Sequence, residues 1–506
     1  MMASTAEQRC HNEAKQTMTF RLLINGQLVD GAAELDVVNP ATEQVIASAP
    51  RSDSAQLNTA VAAAKAAFPG WAATSWEDRA RSLLAIADAI ESHRDELGAL
   101  ITAEQGKPAS EGIREVLGAA GTFRAFASMT MPARVFKGAA GDKIYERNSP
   151  LGVVGAIGPW NFPLLLLVAK IAPALVTGNT LIVKPAPTTP LTVIRFGEII
   201  ADLLPPGVLN VVVDDNDLGD MLTSHCDVAK VSFTGSTETG RKVMASGAST
   251  LKRLTLELGG NDAAILLDDV NPKAVAKQIF ERAMINSGQV CVAIKRIYVP
   301  ESIYDDVCAE LAECAKNAVV GEGMDSQSQY GPVQNRKQFE RIKELIADTA
   351  EAGTILAGGI PAEGTVGFFV KPTIVGGLSE NARLVQEEQF GPVVPVLSYA
   401  DLDDAIARAN ATEFGLGASV WTNNSIRGEE VAARLLAGTV WINKHGDLSP
   451  LIPFCGSKMS GIGTDFGEDG LKNYCQSKIV NIGQEPIVED ECGLPQASEQ
   501  GAKWKK

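Results

Sequence analysis

The chain has 506 residues, 45% hydrophobic and 21% charged, a balance that excludes a disordered protein and predicts two or three domains instead of one core. A formal net charge of -16 and a pI near 4.9 argue against nucleic acid or an anionic membrane as partner. Eight cysteines show no CxxC or zinc-like spacing, and the four histidines, His11, His93, His225 and His445, are too scattered for a metal site or a Ser-His-Asp triad. No metal is expected, and the cysteines read as reduced thiols.

Met1 to Met18 is polar, with no apolar core of signal-peptide length, so a cytoplasmic location is expected. Residues 53 to 69 and 76 to 104 carry Ala, Leu and Ile at helical spacing, which predicts two amphipathic helices. From residue 150 the texture changes. Short apolar runs, Val153 to Ile157, Thr180 to Val183 and Val208 to Val213, alternate with helical segments such as Leu191 to Leu204, the rhythm of a doubly wound parallel sheet. The apolar run Phe162 to Leu175 contains Lys170 and two prolines, which makes it a buried helix and not a membrane span. After Cys291 the rhythm returns, with Ile297 to Val299 as a strand and a helix over 301–318, so a second α/β domain follows. The ends, 1–18 and 484–506, read as flexible termini.

Several segments carry chemistry. Pro159-Trp160-Asn161-Phe162-Pro163 places an asparagine between aromatic residues just before the buried helix. Asn161 could aim its N–H at a developing oxyanion, or could cap a rigid helix start. Lys184, ahead of Pro185, sits at the carboxyl end of a strand, where open α/β sheets bind ligands; a surface lysine fits equally. Val231 to Gly240 runs from a strand into a helix whose N-terminus can face an anion, but it lacks Gly-x-Gly-x-x-Gly and could be a capped helix only. Cys291 follows Gly288-Gln289-Val290, and Glu257 lies upstream in Leu256 to Gly260. A thiol attacks carbon as the thiolate and needs a base within reach, for which Glu257 is the candidate. A cysteine between two valines also fits an inert core position. The glycine before it tells against that, because it marks a sharp turn or the close approach of a ligand.

Taken in order, Pro159 to Pro163, Lys184-Pro185, Phe233 to Thr237, Leu256 to Gly260, Gly288 to Cys291, Glu387 to Pro392 and Pro453 to Gly456 resemble the NAD(P)-dependent aldehyde dehydrogenase superfamily, over a stretch from about Thr19 to Ile482. The resemblance implies an α/β fold. A Rossmann-like NAD(P)-binding domain would occupy 20–130 and 150–258, a catalytic α/β domain 259–452, and a small β oligomerisation arm 131–149 and 473–483. It also implies a homodimer or homotetramer that oxidises an aldehyde with NAD, with NADP as the alternative. In the implied site Cys291 is the nucleophile, Asn161 and the backbone N–H of Cys291 form the oxyanion hole, and Glu257 activates the hydrolytic water. Lys170 and Asp465 would move protons away from Glu257. Lys184 would hold the adenosine ribose, Ser236 the pyrophosphate and Glu388 the nicotinamide ribose, with Ile157, Trp160, Pro187, Gly235, Leu258 and Phe390 also around the cofactor. Phe162, Leu166, Ala169, Val290, Val292 and Phe454 would line the substrate tunnel.

Three positions depart from the pattern: Pro187 stands where many relatives have a ribose-gripping glutamate, Cys455 where glycine is usual, and Asp465 where glutamate is common. Pro187 removes both a two-point ribose grip and charge repulsion against NADP. The tunnel is apolar, has Ala169 in place of a bulky aromatic residue and contains no arginine, which points to a medium-to-large hydrophobic or aromatic aldehyde. His445 and Asp447 read as a polar tunnel mouth or a surface turn. Two rivals stay open. The acyl group could pass to coenzyme A instead of water, against which Glu257 argues, or the fold could serve a non-enzymatic structural or binding role.

Overall fold

The computed structural model describes residues 19–138 and 142–483, so the two expected flexible termini lie outside the described residues. Two open α/β sheets organise the chain. In the first, the parallel strands Val153–Ile157, Thr180–Lys184 and Leu209–Val211 step outward to one edge. Val228–Thr234 and then Arg253–Glu257 are added on the other side of Val153–Ile157. Winding therefore reverses between Val153–Ile157 and Val228–Thr234, and a crevice opens at their carboxyl ends. The strand Gly461–Ile462 adds an antiparallel edge, with Gly461 opposite Glu257, so a segment far beyond residue 258 completes this sheet.

The central strands are buried throughout because helices cover both faces. Val154, Ala156, Leu181 and Val183 pack with helices Trp76–Ser92, Ala109–Ser128 and Leu165–Val176, while Val153, Ile157 and Ile182 pack with Ser54–Ala73. The second sheet has seven strands in the order Thr354–Ala357, Thr373–Gly376, Val393–Tyr399, Ile294–Pro300, Asp262–Leu266, Gly417–Trp421 and Thr439–Ile442. All are parallel except the first. A third, antiparallel sheet of Val135–Lys137, Lys143–Pro150 and Cys475–Ile482 is mostly exposed. No helix of the described residues is long and apolar enough to cross a membrane.

The helix expected over Leu191 to Leu204 ends at Ile200, and two other boundaries differ for reasons visible in the structure. The segment 76 to 104 breaks at His93, giving Trp76–Ser92 and Arg94–Gln105. His93 leaves helical torsions at φ -104° and ψ 18°, and its Nδ1 lies 2.8 Å from the Ala89 carbonyl oxygen, so the side chain takes up a carbonyl of the last turn. The helix expected to stop at 69 instead runs to Ala73 with Pro69 inside it. Pro69 is on the exposed side, where water can satisfy the carbonyl that the proline leaves free, and the Trp71 Nε1–H anchors the last turn on the Leu175 carbonyl at 3.2 Å.

Candidate active site

A cavity of about 180 Å³ lies at the crevice between the carboxyl ends of Val153–Ile157 and Val228–Thr234. It brings together Trp160, Asn161, Leu166, Gly235, Ser236, Leu258, Cys291, Glu388 and Phe390, all singled out from the sequence. Trp160 and Phe390 meet edge to face, with ring centroids 5.3 Å apart and planes at 87°. Phe390 holds a left-handed φ of 47°, a strained state for a non-glycine residue, and Gln338 Nε2 donates to its carbonyl at 3.1 Å and to that of Gln389 at 2.8 Å. Ser236 caps the helix Thr237–Gly247 by accepting the Thr239 N–H at 3.3 Å. Its cap and its place on the cavity coincide, so that helix N-terminus is presented to a bound anion.

The loop before Cys291 has three successive left-handed residues, Asn286 at φ 49°, Ser287 at 55° and Gly288 at 71°. A Cβ on Gly288 would stand 2.2 Å from the Gly391 oxygen, so glycine alone fits. Asn286 Nδ2 donates to the Asn161 carbonyl at 3.0 Å, and Asn161 Nδ2 donates to the Gln289 carbonyl at 2.9 Å. The two loops are thereby stitched together. An asparagine amide has two N–H groups, so Asn161 keeps a second donor. Lys295 Nζ donates to the carbonyls of Val290 at 2.5 Å and Cys291 at 3.2 Å. Burial pushes the Cys291 thiol up to about 12; Lys295 opposes this, and Glu388, Asp262 and Glu257 reinforce it. The resting thiol therefore holds its proton.

Glu257, at the end of its strand, is buried with neither carboxylate oxygen hydrogen-bonded. Burial drives its carboxyl well above the usual range, Asp465 adds to the shift and Lys170 opposes it. Lys170 Nζ and Asp465 Oδ2 are 3.4 Å apart, so the structure joins this expected pair. Lys230, which no sequence signal marked, belongs to the same buried group. Its Nζ donates to Thr255 Oγ1 at 2.6 Å and lies 4.8 Å from the centre of the Tyr474 ring, and burial pulls its ammonium down to about 7. Next to Glu257, the absence of side chains on Gly259 and Gly260 permits close approach. A Cβ would meet Glu388 Oε2 at 2.3 Å in one case and the Cys291 oxygen at 2.5 Å in the other. The Gly260 N–H donates to Glu388 Oε1 at 3.0 Å.

On the other side of the thiol, Val290, Val292 and Phe454 form an apolar cluster with Leu416 and Trp441, against which Phe162 and Cys291 pack. Ala169 is 2% exposed and lies on neither the cavity nor this cluster. Cys455 is half-buried; burial pushes its thiol up and Glu257 adds to the shift. His445 is neither a tunnel mouth nor a surface turn. It is buried, with Nε2 2.8 Å from the Val292 carbonyl oxygen and its ring 4.9 Å from Trp441, because that carbonyl lies outside any strand and needs a donor. Asp447 is exposed and pairs with Lys444 at 2.9 Å.

Lys184 is not a surface lysine: it is buried, with Nζ 2.6 Å from Asp214 Oδ1. Pro187 borders a separate cavity of about 500 Å³ shared with Glu43, Asp215, Asn216 and Arg336. His225, Cys226 and Asp227 bring possible ligand atoms within 4.8 Å of one another. There, however, the Asp227 carboxylate already pairs with Lys65 at 2.5 Å and its N–H donates to His225 Nδ1 at 3.1 Å.

A family model described as Aldehyde dehydrogenase family matches residues 28–480. Phenylacetaldehyde dehydrogenase of Pseudomonas fluorescens is 38% identical over 487 residues, covering 92% of this chain and 96% of its own length. Human retinal dehydrogenase 2 is 38% identical over 461 residues, 88% of each chain. The NAD+ complex structure of aldehyde dehydrogenase from Bacillus cereus superposes with a TM-score of 0.90 at 36% identity, covering 92% of this chain and 97% of that one. The chain belongs to the aldehyde dehydrogenase family and is an NAD(P)-dependent aldehyde dehydrogenase.

Proposed function

We propose that this enzyme oxidises a medium-to-large hydrophobic or aromatic aldehyde to the carboxylic acid, through a thiohemiacetal and then a thioester on Cys291. The carrying observation is that Cys291, Asn161 and the Trp160–Phe390 pair share one cavity beside a carboxyl, Glu257, that has no hydrogen-bond partner. NAD(P), when bound, supplies the hydride acceptor. The residues on the cavity fit it: a switch-point crevice, the Ser236 helix N-terminus for pyrophosphate and Glu388 near the nicotinamide end, with Gly235 and Leu258 beside them; Ile157 and Lys184, at the ends of adjacent strands and off the cavity wall, would extend the site towards the adenosine ribose. Cys291, its proton released to water, adds to the aldehyde carbon as the thiolate. Asn161 and the Cys291 N–H stabilise the oxyanion, and Glu257 takes the proton of the water that cleaves the thioester. Lys170 and Asp465 stand behind Glu257 to pass that proton on.

The substrate preference rests on the apolar Phe162, Val290, Val292 and Phe454 wall beside the thiol, with Leu166 on the cavity. For the cofactor, Asp214 supplies beside Lys184 a carboxylate that Pro187 does not, which favours NAD over NADP. A spectrophotometric panel of aliphatic, aromatic and terpenoid aldehydes with NAD and NADP in parallel tests this reading. The bulkier apolar substrates should give the highest kcat/KM, and Cys291→Ser should abolish turnover; a preference for acetaldehyde, or wild-type rates in the serine variant, would contradict it. If added coenzyme A accelerates turnover and appears in an acyl product, the acylating reaction replaces hydrolysis.

A further inference from the structure

Behind Asn161 lies a charge pair with no part in the chemistry described so far. Lys107 precedes the helix Ala109–Ser128 and Glu115 lies within it; their charged groups are 2.7 Å apart and both side chains are 0% exposed. A fully buried pair of this kind is a poor general stabiliser, because apolar side chains of the same volume would serve as well. What distinguishes it is where its remaining bonds go. Lys107 Nζ also donates to the Asn161 carbonyl at 2.9 Å and lies 3.8 Å from the centre of the Phe162 ring. Glu115 Oε1 accepts the N–H groups of Leu164 at 3.0 Å and Leu165 at 3.2 Å. The helix Leu165–Val176 has no side-chain cap of its own, so Glu115 caps it from a neighbouring helix. The pair thus holds the segment 161–165 at both ends, and the Asn161 carbonyl is held a second time by Asn286 from the thiol loop.

We propose that Lys107 and Glu115 are positioning residues for the oxyanion hole. They fix the Asn161 backbone against the Cys291 loop, so that the amide side chain stays on the Gln289 carbonyl with its second N–H left for the reacting oxygen. This rests on Asn161 being the oxyanion donor, and the test separates the two ideas. Single-turnover hydride transfer is measured in Asn161→Ala, Lys107→Met, Glu115→Gln and the Asn161→Ala/Lys107→Met double variant. Alkylation of Cys291 by iodoacetamide, followed by peptide mass spectrometry, is the control. Each single variant should slow hydride transfer by roughly tenfold or more, with Cys291 alkylation and the cofactor KM within about twofold of wild type. The double variant should be no slower than Asn161→Ala, because the pair acts only through Asn161. If Lys107→Met does not fold, the near-isosteric Glu115→Gln, alone and combined with Asn161→Ala, carries the same comparison. A lowered melting temperature with wild-type hydride transfer, or losses that multiply in the double variant, would overturn the proposal. A wild-type rate in Asn161→Ala would instead remove the oxyanion reading beneath it.

Discussion

Burial raises both the Cys291 thiol and the Glu257 carboxyl above their ordinary values, and each acts in its deprotonated form. For Glu257 the sign is plain. The active base is the deprotonated form, so the hydrolytic step is lost as pH falls through a pKa that lies above the ordinary carboxylate value. A pH profile of kcat under deacylation-limited conditions should therefore rise with pH, and Glu257→Gln should lose that limb and about a hundredfold or more in rate. A glutamine variant that retained the limb would assign it to another group. Asp214 makes a separate prediction, on the proposal that Lys184 holds the adenosine ribose. With its carboxylate beside Lys184, Asp214→Gly should raise the NADP-to-NAD ratio of kcat/KM by roughly tenfold, since one like charge near a phosphate carries about 1.4 kcal/mol or more. Competitive binding titrations of both cofactors should move in parallel, and an unchanged ratio would mean that selectivity resides elsewhere.

Strand ends and tight loops convert these residues into a site. Gly288 is the plainest case, since φ 71° and the Gly391 oxygen together exclude a Cβ. Gly288→Ala should lower kcat by about a hundredfold by displacing the Cys291 loop, with a smaller loss of NAD binding, because the clash reaches Gly391 beside Phe390 and Glu388 but not the Ser236 helix. Isothermal titration beside steady-state kinetics checks that split; equal losses in both would contradict it. The same elements show what a reader of the sequence can and cannot see. Asn161, Glu257 and Cys291 are ambiguous singly, since each short stretch also fits a helix cap or a core position, and become site candidates through the resemblance of the ordered segments to one family. Lys107 does not, although Lys107-Pro108 repeats the Lys184-Pro185 signal, because its partner carbonyl is 54 residues away and only packing joins them. His445 was misplaced for the same reason: its hydrogen bond spans 153 residues. Pro69 and His93 mislead through local propensity, which solvent access and a side-chain hydrogen bond to the backbone override.

At the scale of the molecule, the two α/β sheets meet at the thiol and the third sheet leaves exposed apolar residues, among them Val135 at 71%, Ile479 at 55% and Ile482 at 47%. An open edge strand with such residues is a liability unless another subunit covers it, so we propose that this arm assembles a homodimer or homotetramer. Light scattering after size exclusion should show an oligomer that Ile479→Glu with Ile482→Glu converts to monomer; an unchanged mass in the double variant would place the interface elsewhere. The central claim, that Cys291 carries the acyl group between hydride transfer and hydrolysis, has a more direct test. Glu257→Gln is mixed with NAD and phenylacetaldehyde, quenched, digested and weighed. The predicted result is a burst of about one NADH per site together with a phenylacetyl mass increment on the Cys291 peptide. A burst without that increment, or an increment on any other residue, would contradict it.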